Sequence, residues 1–101
     1  MDTFHTEEAG RLFKAISLLS TPEECAAFFE DLCTIKEIQD MTLRFETAIA
    51  LSKGANYQDI ARTCGTSTAT ISRVSRCYHY GPGGYRTAIG KLFEAAEEAS
   101  P

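Results

Sequence analysis

The apolar positions of this chain recur at three- and four-residue intervals almost from end to end. From Glu7 to Leu19 they are Ala9, Leu12, Phe13, Ile16 and Leu19, which is the 3.6-residue period of an amphipathic helix. Thr21-Pro22-Glu23-Glu24 then supplies an N-cap, a proline at the first helical position and a capping-box glutamate. A second helix is therefore predicted to start there, with a stripe of Cys25, Phe28, Phe29 and Leu32. Thr34-Ile35-Lys36-Glu37 repeats the capping box ahead of a longer third helix, whose inward residues are predicted to be Ile35, Ile38, Met41, Phe45, Ala48, Ile49 and Ser52 and whose end is Lys53-Gly54. Gly81-Pro82-Gly83-Gly84 breaks the chain, and a last helix is predicted from about Tyr85 to Ala99 with Tyr85, Ala88, Ile89, Leu92, Phe93 and Ala96 on one face. No stretch alternates with period two, so the class is all-α and a winged variant, which needs a hairpin, is disfavoured.

Between the third helix and the glycine-proline break lies the most informative stretch, Tyr57 to Arg76, YQDIARTCGTSTATISRVSR. Two short helices meeting at a steep angle need a small residue where they cross, here Ala61, and a residue tolerant of positive φ where the chain reverses, here Gly65. Ile60 and Cys64 are one turn apart on the first helix, and Ile71 and Val74 are three apart on the second, so both stripes can share one core. Asn56, with Asp59 three residues on, is placed to cap the first helix, and Ser67 to cap the second. This is the spacing of a helix-turn-helix, and it leaves Ser67, Thr68, Ala69, Ser72, Arg73 and Arg76 pointing away from the core as a recognition helix presents them to a major groove. On the first helix Gln58 and Arg62 are the nearest polar candidates for DNA contact.

A formal net charge of −4 would argue against nucleic acid if the charges were evenly spread. They are not. Residues 1–52 carry a net −6, residues 53–91 a net +5, and residues 92–101 a net −3. Phosphate attraction follows the local field of a basic face, so the acidic total weakens non-specific binding without excluding DNA. At 101 residues with 44% apolar content, a single helical domain over residues 1–101 is expected. The polar, acidic start MDTFHTEEAG and the absence of any membrane-length apolar run point to a cytoplasmic, nucleoid-associated protein with no membrane partner. The four cysteines (Cys25, Cys33, Cys64 and Cys77) form no CxxC pair and have no histidine in ligand spacing, so they read as reduced thiols on or near apolar helix faces, with no metal site.

The capped turn TIKE, the run RFETAIALSKG and above all GTSTATISRVSRCYHYG resemble the Trp repressor superfamily, and within it the small YerC/YecD branch, over nearly the whole chain from Leu12 to Leu92. The resemblance implies a six-helix, intertwined homodimer, in which residues 1–53 and 85–101 build the dimer core and residues 56–80 form the helix-turn-helix as a separate reading head. It also implies an amino-acid corepressor site between core and head. The two arginines that sandwich the ligand ring in that family match Arg44 and Arg73, and Thr34 matches a threonine near the ligand's carboxylate and amine. Val74 stands where the Trp repressor has a glycine, which implies a narrower cleft and a small planar or amino-acid corepressor, or none, rather than tryptophan.

Broad apolar stripes on short helices independently favour a dimer, with Phe13, Phe28, Phe29 and Phe45 expected in its interface. An enzyme is not expected. His5 lies in a start read as disordered and His79 at a helix end, and no serine or cysteine has a partnered base at an interpretable spacing. The GPGG run lacks the strand and lysine of a phosphate-binding loop. The expected function is a sequence-specific DNA-binding regulator, most simply a repressor, working on double-stranded DNA without a tightly held cofactor. The alternative is a helical protein-interaction module whose helix-turn-helix has lost affinity for DNA.

Overall fold

Local capping signals set the helix starts, and the computed structural model, which describes residues 2–99 and the side chains of residues 2–98, realises them in order. Helix α1 (Glu7–Ser17) begins where the Thr6 hydroxyl accepts from the Ala9 amide at 3.1 Å. Helix α2 (Pro22–Leu32) begins where Thr21 Oγ1 accepts from the Glu24 amide at 3.1 Å, while the Glu24 carboxylate reaches back to the Ser20 amide at 2.8 Å. At the start of α3 (Ile35–Ser52) the exchange is reciprocal: Thr34 Oγ1 accepts from the Glu37 amide at 3.1 Å and Glu37 Oε1 from the Thr34 amide at 2.8 Å. Asn56 caps α4 (Tyr57–Cys64) by accepting from the Asp59 amide at 2.9 Å, and Ser67 caps α5 (Thr68–Tyr80) by accepting from the Thr70 amide at 3.2 Å. Helix α6 (Gly84–Ala99) follows the glycine-proline break. The described residues contain these six α-helices, one short 3-10 turn and no strand.

The 3-10 turn, Thr3–His5, replaces the disordered start expected from the sequence; His5 Nδ1 and Asp2 Oδ1 lie 2.6 Å apart and hold it closed. Helix α1 also stops earlier than its periodicity, at Ser17, because the Leu18 amide turns back to the carbonyls of Ala15 and Ile16 and tightens the last turn.

The chain divides into two compact units, Met1–Ile38 and Gln39–Pro101, with the division falling inside the sequence of α3. The first unit contains α1, α2 and the opening turn of α3. Its phenylalanines Phe28 and Phe29 meet edge to face, with ring centroids 5.8 Å apart, and both are half-buried. Ile35 and Ile38, predicted to face inward, are exposed here, Ile35 to 77%. Ala26, Phe29, Glu30, Cys33, Thr34, Ile35 and Ile38 line an open groove of about 280 Å³.

The second unit has a core. Ala48 from α3, Val74 from α5 and Ile89 from α6 are buried together, with Phe45, Ile49, Leu51, Tyr78 and Tyr85 packed around them. Thr47 is fully buried beside Ala48, which a polar residue manages because its hydroxyl donates to the Leu43 carbonyl at 2.8 Å. Ser52, predicted inward, is exposed and bonds the Ile49 carbonyl instead. On α6, Leu92 and Phe93 are substantially exposed, and Lys53 Nζ sits 5.0 Å from the centroid of the Phe93 ring. No helix among the described residues is long and apolar enough to cross a membrane.

Candidate nucleic-acid interface

Helices α4 and α5 pack against each other around a sharp reversal at Gly65. Gly65 has φ +65° and ψ 38°, the left-handed conformation that L side chains resist, and its amide bonds the Ala61 carbonyl, which also accepts from Thr66. Ile60 and Ile71 are fully buried and Val74 is 2% exposed, while Ala61, Cys64 and Thr66 are half-buried. Both predicted stripes thus turn inward, and α5 is fixed by Ile71 and Val74 with its opposite face in solvent.

That outward face carries Ser67, Thr68, Ala69, Ser72, Arg73 and Arg76, every one exposed, and Gln58 and Arg62 are exposed on α4. The side chains differ in how free they are. Ser67 is engaged twice by Thr70, accepting from its amide and donating to its hydroxyl at 3.1 Å, so it anchors the helix start more than it offers a hydroxyl outward. Arg62 Nη2 pairs with Asp59 Oδ1 at 3.1 Å, one turn back on α4, a solvent-exposed contact of little strength that a phosphate can replace. The first turn of α5 carries no acidic side chain, so nothing there opposes the partial positive charge of its amides. Cys77, expected near an apolar face, is exposed, because the buried side of α5 runs through Ile71, Val74 and Tyr78.

Arg44 and Arg73, on α3 and α5, line one cleft of about 230 Å³ together with Asp40, Leu43 and Thr70. Among the described residues no ion pair ties down either guanidinium. Asp40, Leu43 and Thr70 were not singled out from the sequence; Asp40 lies one turn before Arg44 and Thr70 one turn before Arg73, so helical spacing alone could have found two of the three. Val74 takes the core position expected of it, with Ala48 and Ile89, and is not among the residues lining the cleft it was also expected to narrow. Thr34 lines the apolar groove of the first unit and caps α3. Among the described residues no cluster of His, Cys, Asp and Glu is arranged to hold a metal ion.

The family model described as Trp repressor protein matches residues 7–93. The chain belongs to the Trp repressor family. Within that family it is 44% identical over 100 residues to the YerC protein of Bacillus subtilis (strain 168), covering 99% of this chain and 96% of that one. The crystal structure of a TrpR like protein from Eubacterium eligens ATCC 27750 superposes with a TM-score of 0.85 at 43% identity, over 91% of this chain and 95% of the other. A Staphylococcus aureus structure, named as a candidate Trp repressor, gives a TM-score of 0.84 at 37% identity over 90% and 91% of the two chains. The all-α, Trp repressor-like fold is therefore common to this chain and solved relatives, and the chain is a DNA-binding regulator of the Trp repressor type.

Proposed function

We propose that the protein is a sequence-specific transcriptional repressor that binds double-stranded DNA as a homodimer, with residues 56–80 as a helix-turn-helix reading head and residues 1–53 and 85–101 as the dimer core. The observation that carries this reading is α5 itself, pinned by buried Ile71 and Val74 while Thr68, Ala69, Ser72, Arg73 and Arg76 stand in solvent. Small and hydroxylated side chains let a helix approach base edges closely, and arginines supply phosphate or guanine contacts. In this reading Thr68, Ala69 and Ser72 lie near bases, Arg62, Arg73 and Arg76 meet phosphates or guanines, and Gln58 and Ser67 support the backbone contact. One α5 reads one half-site, and a two-fold pair reads two half-sites about 34–36 Å apart. Such a protein resides with the nucleoid.

Binding to duplexes selected from a random-sequence pool, measured over a range of salt, tests the reading. Affinity is expected to fall steeply with salt, Arg76→Ala to weaken all sequences and reduce the salt slope by about one, and Thr68 or Ser72 changes to alter sequence preference. Unchanged affinity in the triple variant Arg62→Ala, Arg73→Ala, Arg76→Ala would move DNA contact away from α5. No salt-dependent binding by the wild type would favour a protein-interaction module.

An effector reading of the Arg44–Arg73 cleft is the second part of the proposal, favoured by two guanidiniums on one cavity that form no ion pair among the described residues. Planar guanidiniums stack on flat ligands and donate to carboxylates. At about 230 Å³ the cleft is below the roughly 300–1,000 Å³ of drug-sized sites, so the ligand is a small planar molecule or amino acid. With Thr34 engaged in capping α3, recognition rests chiefly on Arg44 and Arg73. Calorimetry with tryptophan, indole compounds and smaller amino acids should show heat that Arg44→Ala removes and that increases in affinity when DNA is present. Silence with and without DNA would mean a regulator without corepressor.

A further inference from the structure

The C-terminal end of α5 is held from the far side of the turn that follows it. Arg86, in the first turn of α6, extends back across Gly81–Gly83 and donates from Nη2 to the His79 carbonyl at 3.3 Å. That carbonyl is among the last four of α5, which have no partner within the helix. The same guanidinium lies 5.2 Å from the centroid of the Tyr78 ring, and Tyr78 packs on the Ala48–Val74–Ile89 core. One side chain of α6 thus grips a backbone carbonyl and an aromatic face of α5 together, and places a cation at the negative end of the helix dipole.

The path of the connecting turn depends on its glycines. The Gly81 amide closes α5 onto the Cys77 carbonyl at 2.9 Å, and a Cβ added at Gly81 would lie 2.5 Å from that same oxygen, so only glycine can leave α5 by this path. Gly83, at φ +94°, then turns it into α6 in a conformation that L side chains rarely adopt. Besides Arg86, the cations Arg73 and Arg76 are exposed on α5, and among the described residues neither forms a comparable link to another helix.

We infer that Arg86 is a positioning residue for DNA recognition, clamping the C-terminal end of the reading helix α5 to α6 and so fixing the angle at which α5 is presented. Arg86 itself is not a DNA contact. The inference rests on the proposed role of α5, because α6 belongs to the proposed dimer core: a fixed α5–α6 angle sets the separation of the two reading helices. A looser angle lets the pair accept several half-site spacings and binds each less well.

Two measurements on the full chain separate the clamp from the DNA reading. Without DNA, hydrogen exchange is compared among wild type, Arg86→Lys and Arg86→Ala. Amides from Tyr78 to Gly81 are expected to exchange about two- to fivefold faster in Arg86→Ala, and by less in Arg86→Lys, which keeps the charge but not the stacking plane, while Ile71 is unchanged. Equal exchange in all three proteins would show that there is no clamp, whatever the DNA result. With DNA, duplexes selected by the wild type are tested intact, as single half-sites, and with one base pair inserted or removed between half-sites. Arg86→Ala is expected to lose affinity for the intact duplex, keep it for the single half-site and discriminate less between spacings. A uniform loss over all three duplexes would instead make Arg86 a phosphate contact and overturn the positioning role. A wild type that binds no duplex would remove the DNA reading of α5 and the positioning role with it, leaving the exchange result to report only on the clamp.

Discussion

The two units of this chain are built from the same kind of amphipathic helix, yet only one has an interior. Within Gln39–Pro101 the buried set is Thr47, Ala48, Ile60, Ile71, Val74 and Ile89; within Met1–Ile38 no described residue is buried, and Ile35 and Phe13 stand well out in solvent. Helix caps cannot explain the contrast, because α1 and α2 are capped as well as α4 and α5. What differs is whether the apolar face of a helix finds cover within its own unit. The second unit folds α5 between α3 and α6 residues around Val74. The first offers an apolar groove beside Phe29 that no described residue of the unit fills. Apolar surface left in water forfeits roughly 25 cal/mol per Å², so a second copy of the chain is the economical cover, as the proposed dimer supplies.

The largest expected effect is on that cover. Phe29→Asp, which places a charge in the apolar groove, should dissociate the proposed dimer and destabilise the protein by upwards of about 3–5 kcal/mol, and light scattering should show the mass halve. A wild-type melting temperature that does not rise with protein concentration would break the comparison at its root, since the first unit would then be stable alone. Next comes Val74→Gly, which installs the Trp repressor's residue. Because Val74 lies in the core, the change should cost about 2–4 kcal/mol in urea unfolding from lost packing and helix propensity, without improving tryptophan binding. Tighter tryptophan binding in the variant would mean that Val74 does wall the cleft. Gly65→Ala should cost about 1–2 kcal/mol purely through its positive φ, because nothing lies within 4 Å of the added Cβ. Smallest of all, Arg62→Ala should change stability by less than about 0.5 kcal/mol, since its pairing with Asp59 is exposed, while lowering DNA affinity measurably.

Much of this architecture is legible in the residues. The caps at Thr21, Thr34, Asn56 and Ser67, the left-handed Gly65 and the inward Ile60, Ile71 and Val74 all follow from side-chain chemistry and helical spacing, which act over one or two turns. Periodicity also identified the apolar faces of Ile35, Ile38 and Leu92, but it tells which side of a helix avoids water and not whether the cover comes from the same chain. Thr47 was missed because a threonine reads as polar, although a hydroxyl bonded to the carbonyl four residues back is already satisfied and can be buried. The grip of Arg86 on Tyr78 and His79 crosses a turn whose path depends on Gly81 and Gly83 together, and no spacing rule anticipates it. The cleft is intermediate: Arg44 and Arg73 were placed in one site by resemblance, whereas Leu43 depends on how α3 and α5 pack.

The caps that open five of the helices have a consequence in time. Each is made between residues three apart, so each helix start can form before any distant part of the chain has arrived. Few residue pairs in contact are far apart in sequence, and chains dominated by such local contacts cross their folding barrier in microseconds to milliseconds. For the proposed dimer, the slow step of renaturation is then the meeting of two protomers. After dilution from denaturant, helical signal should return almost at once at any concentration, whereas the capacity to bind DNA should return at a rate proportional to the amount of protein present.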